Sequence, residues 1–168
     1  VQVVDSTRVR IYANADAGVQ SPSSAWGTQG GMTIKPPWGG SPDRVAYVGF
    51  DLSALAGKTI TSAVLSSEMV ISETRTGQDS IRVDAHQATG SWTESSVTYQ
   101  SRPVLGATVG SMIVDRTKKI VSADITDAIA ATAAANTGAF TLGFTQDDAG
   151  ASAIGVNLTS REGGVPAY

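Results

Sequence analysis

Arg8, Arg10 and Tyr12 recur at every second position, and so do Arg82, Asp84 and His86. Lys35 and Tyr47 alternate with apolar neighbours in the same way. Side chains two apart on an extended strand share a face, so each row projects to one side. Guanidinium groups fork onto carboxylates, and aromatic rings pack against the C–H faces of sugars. If these strands share a sheet, Arg8, Arg10, Lys35, Tyr47, Arg82 and His86 form one basic and aromatic surface suited to an acidic polysaccharide. The plainer reading is a solvated sheet face with scattered charge, which alternating strands commonly show.

Bond-breaking chemistry has thinner support. His86 is the single histidine, and no G-x-S-x-G elbow accompanies it. Zinc would need more histidine or cysteine ligands than the chain has. A glycosidase needs two carboxylates, which 15 acidic residues leave open; a polysaccharide lyase needs a base and often a tyrosine, a minimum that His86 and Tyr47 meet. Neither has a supporting motif, so no catalytic residue is expected. Polysaccharide binding requires no cofactor. Asp147-Asp148 and Asn14-Ala15-Asp16 offer oxygens compatible with a structural calcium, but neither has EF-hand spacing, and such clusters are commonly turns.

The elements that would carry these rows are strands. Val9 and Ile11 face away from Arg8, Arg10 and Tyr12; Met32 and Ile34 alternate with Thr33 and Lys35; Ala46, Val48, Phe50 and Leu52 oppose Tyr47 and Gly49; Ile81, Val83 and Ala85 oppose Arg82, Asp84 and His86. Further strands are expected near 61–72, 109–114, 118–123, 139–146 and 153–159. Turn signals separate them: Pro36-Pro37-Trp38-Gly39-Gly40-Ser41-Pro42, Thr76-Gly77-Gln78-Asp79 and Asp147-Asp148-Ala149-Gly150. The alanine-rich stretch 126–136 predicts one short helix, opened by Thr126 as N-cap, stopped at Asn136-Thr137-Gly138, and covering an open end of the strand layers. The expected fold is all-β: a single antiparallel β-sandwich over 1–168, jelly-roll-like, with one short helix.

Composition narrows the class further. Val, Thr, Ser and Gly dominate where a helical protein would use Leu, Glu, Lys and Arg. A net charge of −3 weighs against a nucleic-acid partner. No apolar run reaches the roughly 18 residues of a membrane span. There is no cysteine, hence no disulfide. The chain starts at Val1 without a basic-then-apolar leader, and reads as a mature or excised fragment. Nothing suggests an obligate oligomer, so a monomer is expected.

Three segments carry a resemblance. They are Phe50-Asp51-Leu52-Ser53-Ala54-Leu55-Ala56-Gly57 with Thr59-Ile60-Thr61-Ser62-Ala63-Val64-Leu65; Gly90-Ser91-Trp92-Thr93-Glu94-Ser95-Ser96-Val97-Thr98-Tyr99 ending in Ser101-Arg102-Pro103; and Ser160-Arg161-Glu162-Gly163. From about Val4 to the end, the chain resembles the DNRLRE-type domain, which overlaps the carbohydrate-binding modules of family ninety-six. Tyr99 stands where that family usually shows tryptophan. The resemblance implies a secreted β-sandwich module found beside polysaccharide lyases or glycoside hydrolases, with alginate a ligand of some relatives. The shared residues themselves read as structural: Asp51 satisfying turn donors, Glu94 accepting backbone N–H groups, Trp92 packing, and Arg161 with Glu162 as a pair or cap. Trp26 and Trp38, in Gly- and Pro-rich loops, read equally as stacking platforms or plugs. Arg116, Lys118 and Lys119 read as an exposed hairpin tip.

The sequence thus points to a non-catalytic module that holds a covalently linked catalytic domain on a uronate polymer such as alginate. The competing readings are a structural or adhesive domain without a glycan ligand and, behind it, a polysaccharide lyase.

Overall fold

Alternating strands with one apolar face must bury that face against another layer, and the computed structural model shows two such layers. It describes residues 1–22, 24–26, 31–37, 39–72, 78–146, 154–164 and 166–168. Six strands form the larger sheet in the order β4-β3-β6-β11-β8-β9: β3 (Ala15–Gln20), β4 (Ser24–Trp26), β6 (Arg44–Asp51), β8 (Ser80–Thr89), β9 (Val104–Asp115) and β11 (Ala139–Gln146). Four form the smaller sheet in the order β10-β7-β12-β5: β5 (Gly31–Ile34), β7 (Val64–Ile71), β10 (Lys119–Asp124) and β12 (Val156–Thr159). Every neighbouring pair is antiparallel. The expected sandwich is therefore present.

The main core lies between the sheets and uses the apolar rows read from the sequence. Ala46, Val48 and Phe50 of β6, Ile81, Val83 and Ala85 of β8, and Phe140, Leu142 and Phe144 of β11 pack with Met32, Ile34, Leu65, Met69, Val156 and Leu158 of the opposite sheet. At roughly 1.5–3 kcal/mol for each fully buried side chain, this layer dominates stability. The helix α1 (Thr126–Ala135) joins β10 of one sheet to β11 of the other and buries Ile129, Thr132 and Ala133, closing one end of the sandwich. Its start differs from expectation: Thr126 is the first helical residue, not the cap. Asp124 accepts the Thr126 N–H at 2.8 Å, which frees the Thr126 hydroxyl to accept the Ala63 N–H at 2.9 Å. Asn136 stops the helix in the left-handed conformation, with φ of 53°.

A second, smaller core overturns one expectation. Tyr47 does point away from Val48, but it does not reach solvent: it is 0% exposed. The 91–103 segment lies over the outer face of the larger sheet and buries Ala17, Val19, Val45, Tyr47 and Ala88 beneath Val97, with Trp92, Tyr99 and Leu105 packed around them. Tyr47 donates its hydroxyl to the Pro103 carbonyl at 2.9 Å, and the Trp92 ring lies 6.3 Å from its own. Gly49 leaves the gap that Trp92 fills, since a Cβ there would stand 3.3 Å from the indole.

The first strands also depart from expectation. β1 (Gln2–Asp5) and β2 (Arg8–Arg10) make a separate two-stranded hairpin, and Val9, expected on a covered face, is 44% exposed. Ile11, just beyond, is the residue that reaches the core.

Tyr47→Phe keeps the buried ring but orphans the Pro103 carbonyl. Urea unfolding should show a loss of about 1–2 kcal/mol with an unchanged spectrum. A loss near zero would mean that this hydrogen bond does not fasten the 91–103 segment.

Candidate functional site

The six residues singled out by chemistry do not share a face. Arg8 and Arg10 stand on the separate hairpin. Lys35 follows β5 and bridges to Arg44 at the start of β6, so it sits where the two sheets meet. Arg82 and His86 are together on the outer side of β8, as expected, but their polar groups are engaged. Arg82 donates to Asp84 at 2.8 Å and to Ser111 at 3.0 Å, while the His86 ring lies 2.9 Å from the Thr145 hydroxyl and 3.2 Å from the Gly106 carbonyl. Tyr47 is buried under the 91–103 segment, and burial pushes its hydroxyl up to about 12.

The Tyr–His pair that a lyase would use is not assembled. Gly143 of β11 pairs with Tyr47 on one side and His86 on the other, so a whole strand separates them. The basic tip at 116–119 follows the plainer reading, with each cation beside an acid: Arg116 with Asp79 at 3.2 Å, Lys118 with Glu68 at 2.9 Å, and Lys119 with Asp115. Trp38 and Asp147-Asp148 lie outside the described residues, and of Trp26 only the backbone, in β4, is described.

Cations do gather at one place. Between the hairpin and the end of the sandwich closed by α1 lies a cleft of about 870 Å³. Apolar Phe50, Leu52, Leu55 and Phe140 line it together with Thr7, Thr59 and Thr61. Arg8, Arg10 and Lys58 line it, and no Asp or Glu does among the described residues. In a chain of net charge −3 such a wall is a local inversion of sign. Arg8 keeps most of its side chain (78%) in solvent, 3.8 Å from Asp5, a pairing too exposed to neutralise it.

The Arg10 guanidinium lies 4.3 Å over the Tyr168 ring, which meets Tyr12 edge-on at 5.8 Å. Tyr168 is held by its backbone, which exchanges hydrogen bonds of 3.0 and 2.7 Å with Ser66, and Ala167 accepts the Ala13 N–H at 2.9 Å. Lys58 and Tyr168 escaped the sequence reading because neither belongs to an alternating row. They join the arginines only because the turn after Leu55 and the last residues of the chain converge on the hairpin.

A second convergence joins residues of the resemblance. Glu94, from the segment over the outer face, pairs with Arg161 at 2.7 Å instead of accepting the expected backbone N–H groups. Arg161 also meets Glu162 at 3.0 Å, and its own N–H is accepted by Asp16 at 2.7 Å. Asp16, Glu94 and Glu162 each bring a carboxylate oxygen within 4.8 Å of the others, close enough to share a cation, and Arg161 already places positive charge among them. Asp51 behaves as expected, accepting the Ser53 N–H at 2.9 Å. These family-signature residues fasten β3, the 91–103 segment and the chain after β12 to one another.

The model of carbohydrate-binding module family 96 matches residues 7–167. The chain belongs to carbohydrate-binding module family 96. Membership implies a carbohydrate ligand and a non-catalytic role. A search of curated proteins finds no match.

Asp16 is 3% exposed, and that burial, with Glu162 and Glu94 nearby, pushes its carboxyl up to about 6. An acid whose folded value exceeds its unfolded one favours folding while protonated. The contribution is full below about pH 4 and is lost as pH rises through 6. Asp16→Asn should therefore match the natural protein in stability near pH 4 and exceed it above pH 6, by at most about 3 kcal/mol. Denaturant melts across this window test it; a pH-independent difference would contradict the assignment.

Proposed function

We propose that this module binds an anionic, uronate-type polysaccharide such as alginate in the cleft beneath the N-terminal hairpin. The observation that carries the reading is that Arg8, Arg10 and Lys58 line this cleft and, among the described residues, no carboxylate side chain does. A uronate chain presents carboxylates at the spacing of its sugar units, and guanidinium forks and a lysine ammonium meet them from the rim. Its C–H faces meet the apolar side chains of the lining, and its hydroxyls meet the threonines. Arg10, already stacked on Tyr168, presents its fork with little further loss of rotamer freedom. Neither Arg82 nor His86 is needed for this contact, and no cofactor enters it.

In the exported microbial protein the module would hold a covalently linked catalytic domain against its substrate. Its contribution is effective concentration: a tethered enzyme meets the polymer almost intramolecularly, so modest affinity in the module suffices.

Affinity gels of the pure domain through alginate, pectin, chondroitin sulfate, xylan and cellulose test the reading. Retardation by the uronate polymers should fade as salt rises, because exposed charge pairs are screened. Replacing both Arg8 and Arg10 with alanine should weaken binding about 5- to 30-fold, two rim charges at about 0.5–1 kcal/mol each, while the domain stays folded and loses at most about 1 kcal/mol of stability from the lost stacking on Tyr168. Undiminished binding by that variant would move the site off the hairpin.

A further inference from the structure

The opposite end of the sandwich carries a pocket of contrary character. β6 runs from Arg44 to Asp51; Phe50 forms part of the basic cleft, while Asp43, just before the strand, lines a second, open pocket of about 710 Å³. Seven residue rises separate Asp43 from Phe50, about 23 Å along the strand. Gly39, Gly40, Asp43 and Tyr99 are among the residues that line this second pocket. Among the described residues, Asp43 is its single charged lining side chain. Positive charge lines one end of the domain and a carboxylate the other.

The carboxylate is set in place. Tyr99 donates its hydroxyl to Asp43 Oδ2 at 2.6 Å, and Ser21 donates its N–H to the Asp43 carbonyl at 3.0 Å. The Tyr99 ring is fixed in turn by Arg102, whose guanidinium lies 3.6 Å over one face and donates to the Tyr99 carbonyl. Among the described residues Tyr99 is the one side-chain donor to Asp43, which leaves Oδ1 as an acceptor. A carboxylate can only accept, so its natural complement is a ligand that donates. Adjacent hydroxyls of a sugar ring do so, and a uronate carboxylate would be repelled. At Gly39 and Gly40, with φ of 52° and 83°, a Cβ would meet no described residue within 4 Å, chain neighbours aside.

We propose that this pocket is a second glycan subsite, specific for an uncharged sugar unit, with Asp43 accepting a pair of ring hydroxyls and Tyr99 positioning the carboxylate. It rests on the family's carbohydrate-binding role and not on the anionic reading of the cleft. A module with both subsites binds two chemically distinct stretches of glycan at once and gains avidity wherever they lie close enough to be bridged.

Titrating the full chain with neutral cello-, manno- and xylo-oligosaccharides, followed by amide chemical shifts, tests the proposal. At least one series should move the amides of Gly40, Ser41, Asp43 and Tyr99. Asp43→Asn and Tyr99→Phe should each weaken that binding tenfold or more, while alanine at Arg8 and Arg10 leaves it unchanged. Shifts in the natural protein decide the matter even if a variant folds poorly. If no neutral oligosaccharide moves these amides up to its solubility, or if Asp43→Asn binds as the natural protein does, the subsite does not exist. Loss of uronate binding at the cleft is a separate result and leaves this one standing.

Discussion

β6 is buried on both faces, and most of what the domain does follows from that constraint. Its inward row, Ala46, Val48 and Phe50, belongs to the core between the sheets; its outward row, Val45 and Tyr47, belongs to a second core that exists because residues 91–103 lie across it. A strand in this position cannot leave a polar atom unpaired, since an orphaned buried donor or acceptor costs about 1–3 kcal/mol. Tyr47 meets the demand by reaching the Pro103 carbonyl. The covering segment is thereby fixed, and with it the placement of Trp92, Glu94 and Tyr99. The two ends of the same strand then define the two recesses, one beside Phe50 and the other beside Asp43.

The family-signature residues are fastenings. Trp92 fills the space left by Gly49 and donates its indole N–H to Thr141 at 3.1 Å; Glu94 holds Arg161, and Arg161 spans three acids. These groups tie segments far apart in sequence, and a sandwich needs such ties at the edge of β3, where the short β4 pairs only with Gly18 to Gln20. A domain built this way keeps its sheets rigid and leaves the rim free to vary. That division suits a binding module, whose ligand preference is set by a few side chains on an invariant frame.

Electrostatics follows the same logic. Arg82, Arg116, Lys118, Lys119 and Arg161 each lie beside a carboxylate within the domain. Arg8, with Asp5 at 3.8 Å, shares one cleft with Arg10 and Lys58 in a chain of net negative charge. Local sign, and not net charge, is what an extended polymer meets at the surface.

The amino-acid pattern by itself determined the sandwich class and the inward rows of β6 and β8, because a period of two reports directly which side chains share a face; it missed β1, β3 and β4, and the Asn14-Ala15-Asp16 cluster, read as a turn, opens β3. It also located the helix, through its alanine run and the Asn136-Thr137-Gly138 stop, and it carried the family likeness in Trp92, Glu94 and Arg161. Tertiary structure decided everything that depends on which face is covered. Alternation says that Tyr47 opposes Val48 but is silent on whether a loop forty residues later lies over it. In the same way Arg8 and Arg10 were legible as a pair, but their partners Lys58 and Tyr168 come from a turn and from the last residue, where no periodicity exists. The strand rows of Arg10, Lys35 and Arg82 look alike in one dimension and end on three different parts of the fold. Proximity across a sandwich is set by sheet order, and sheet order is a property of long-range pairing that local residue patterns do not encode.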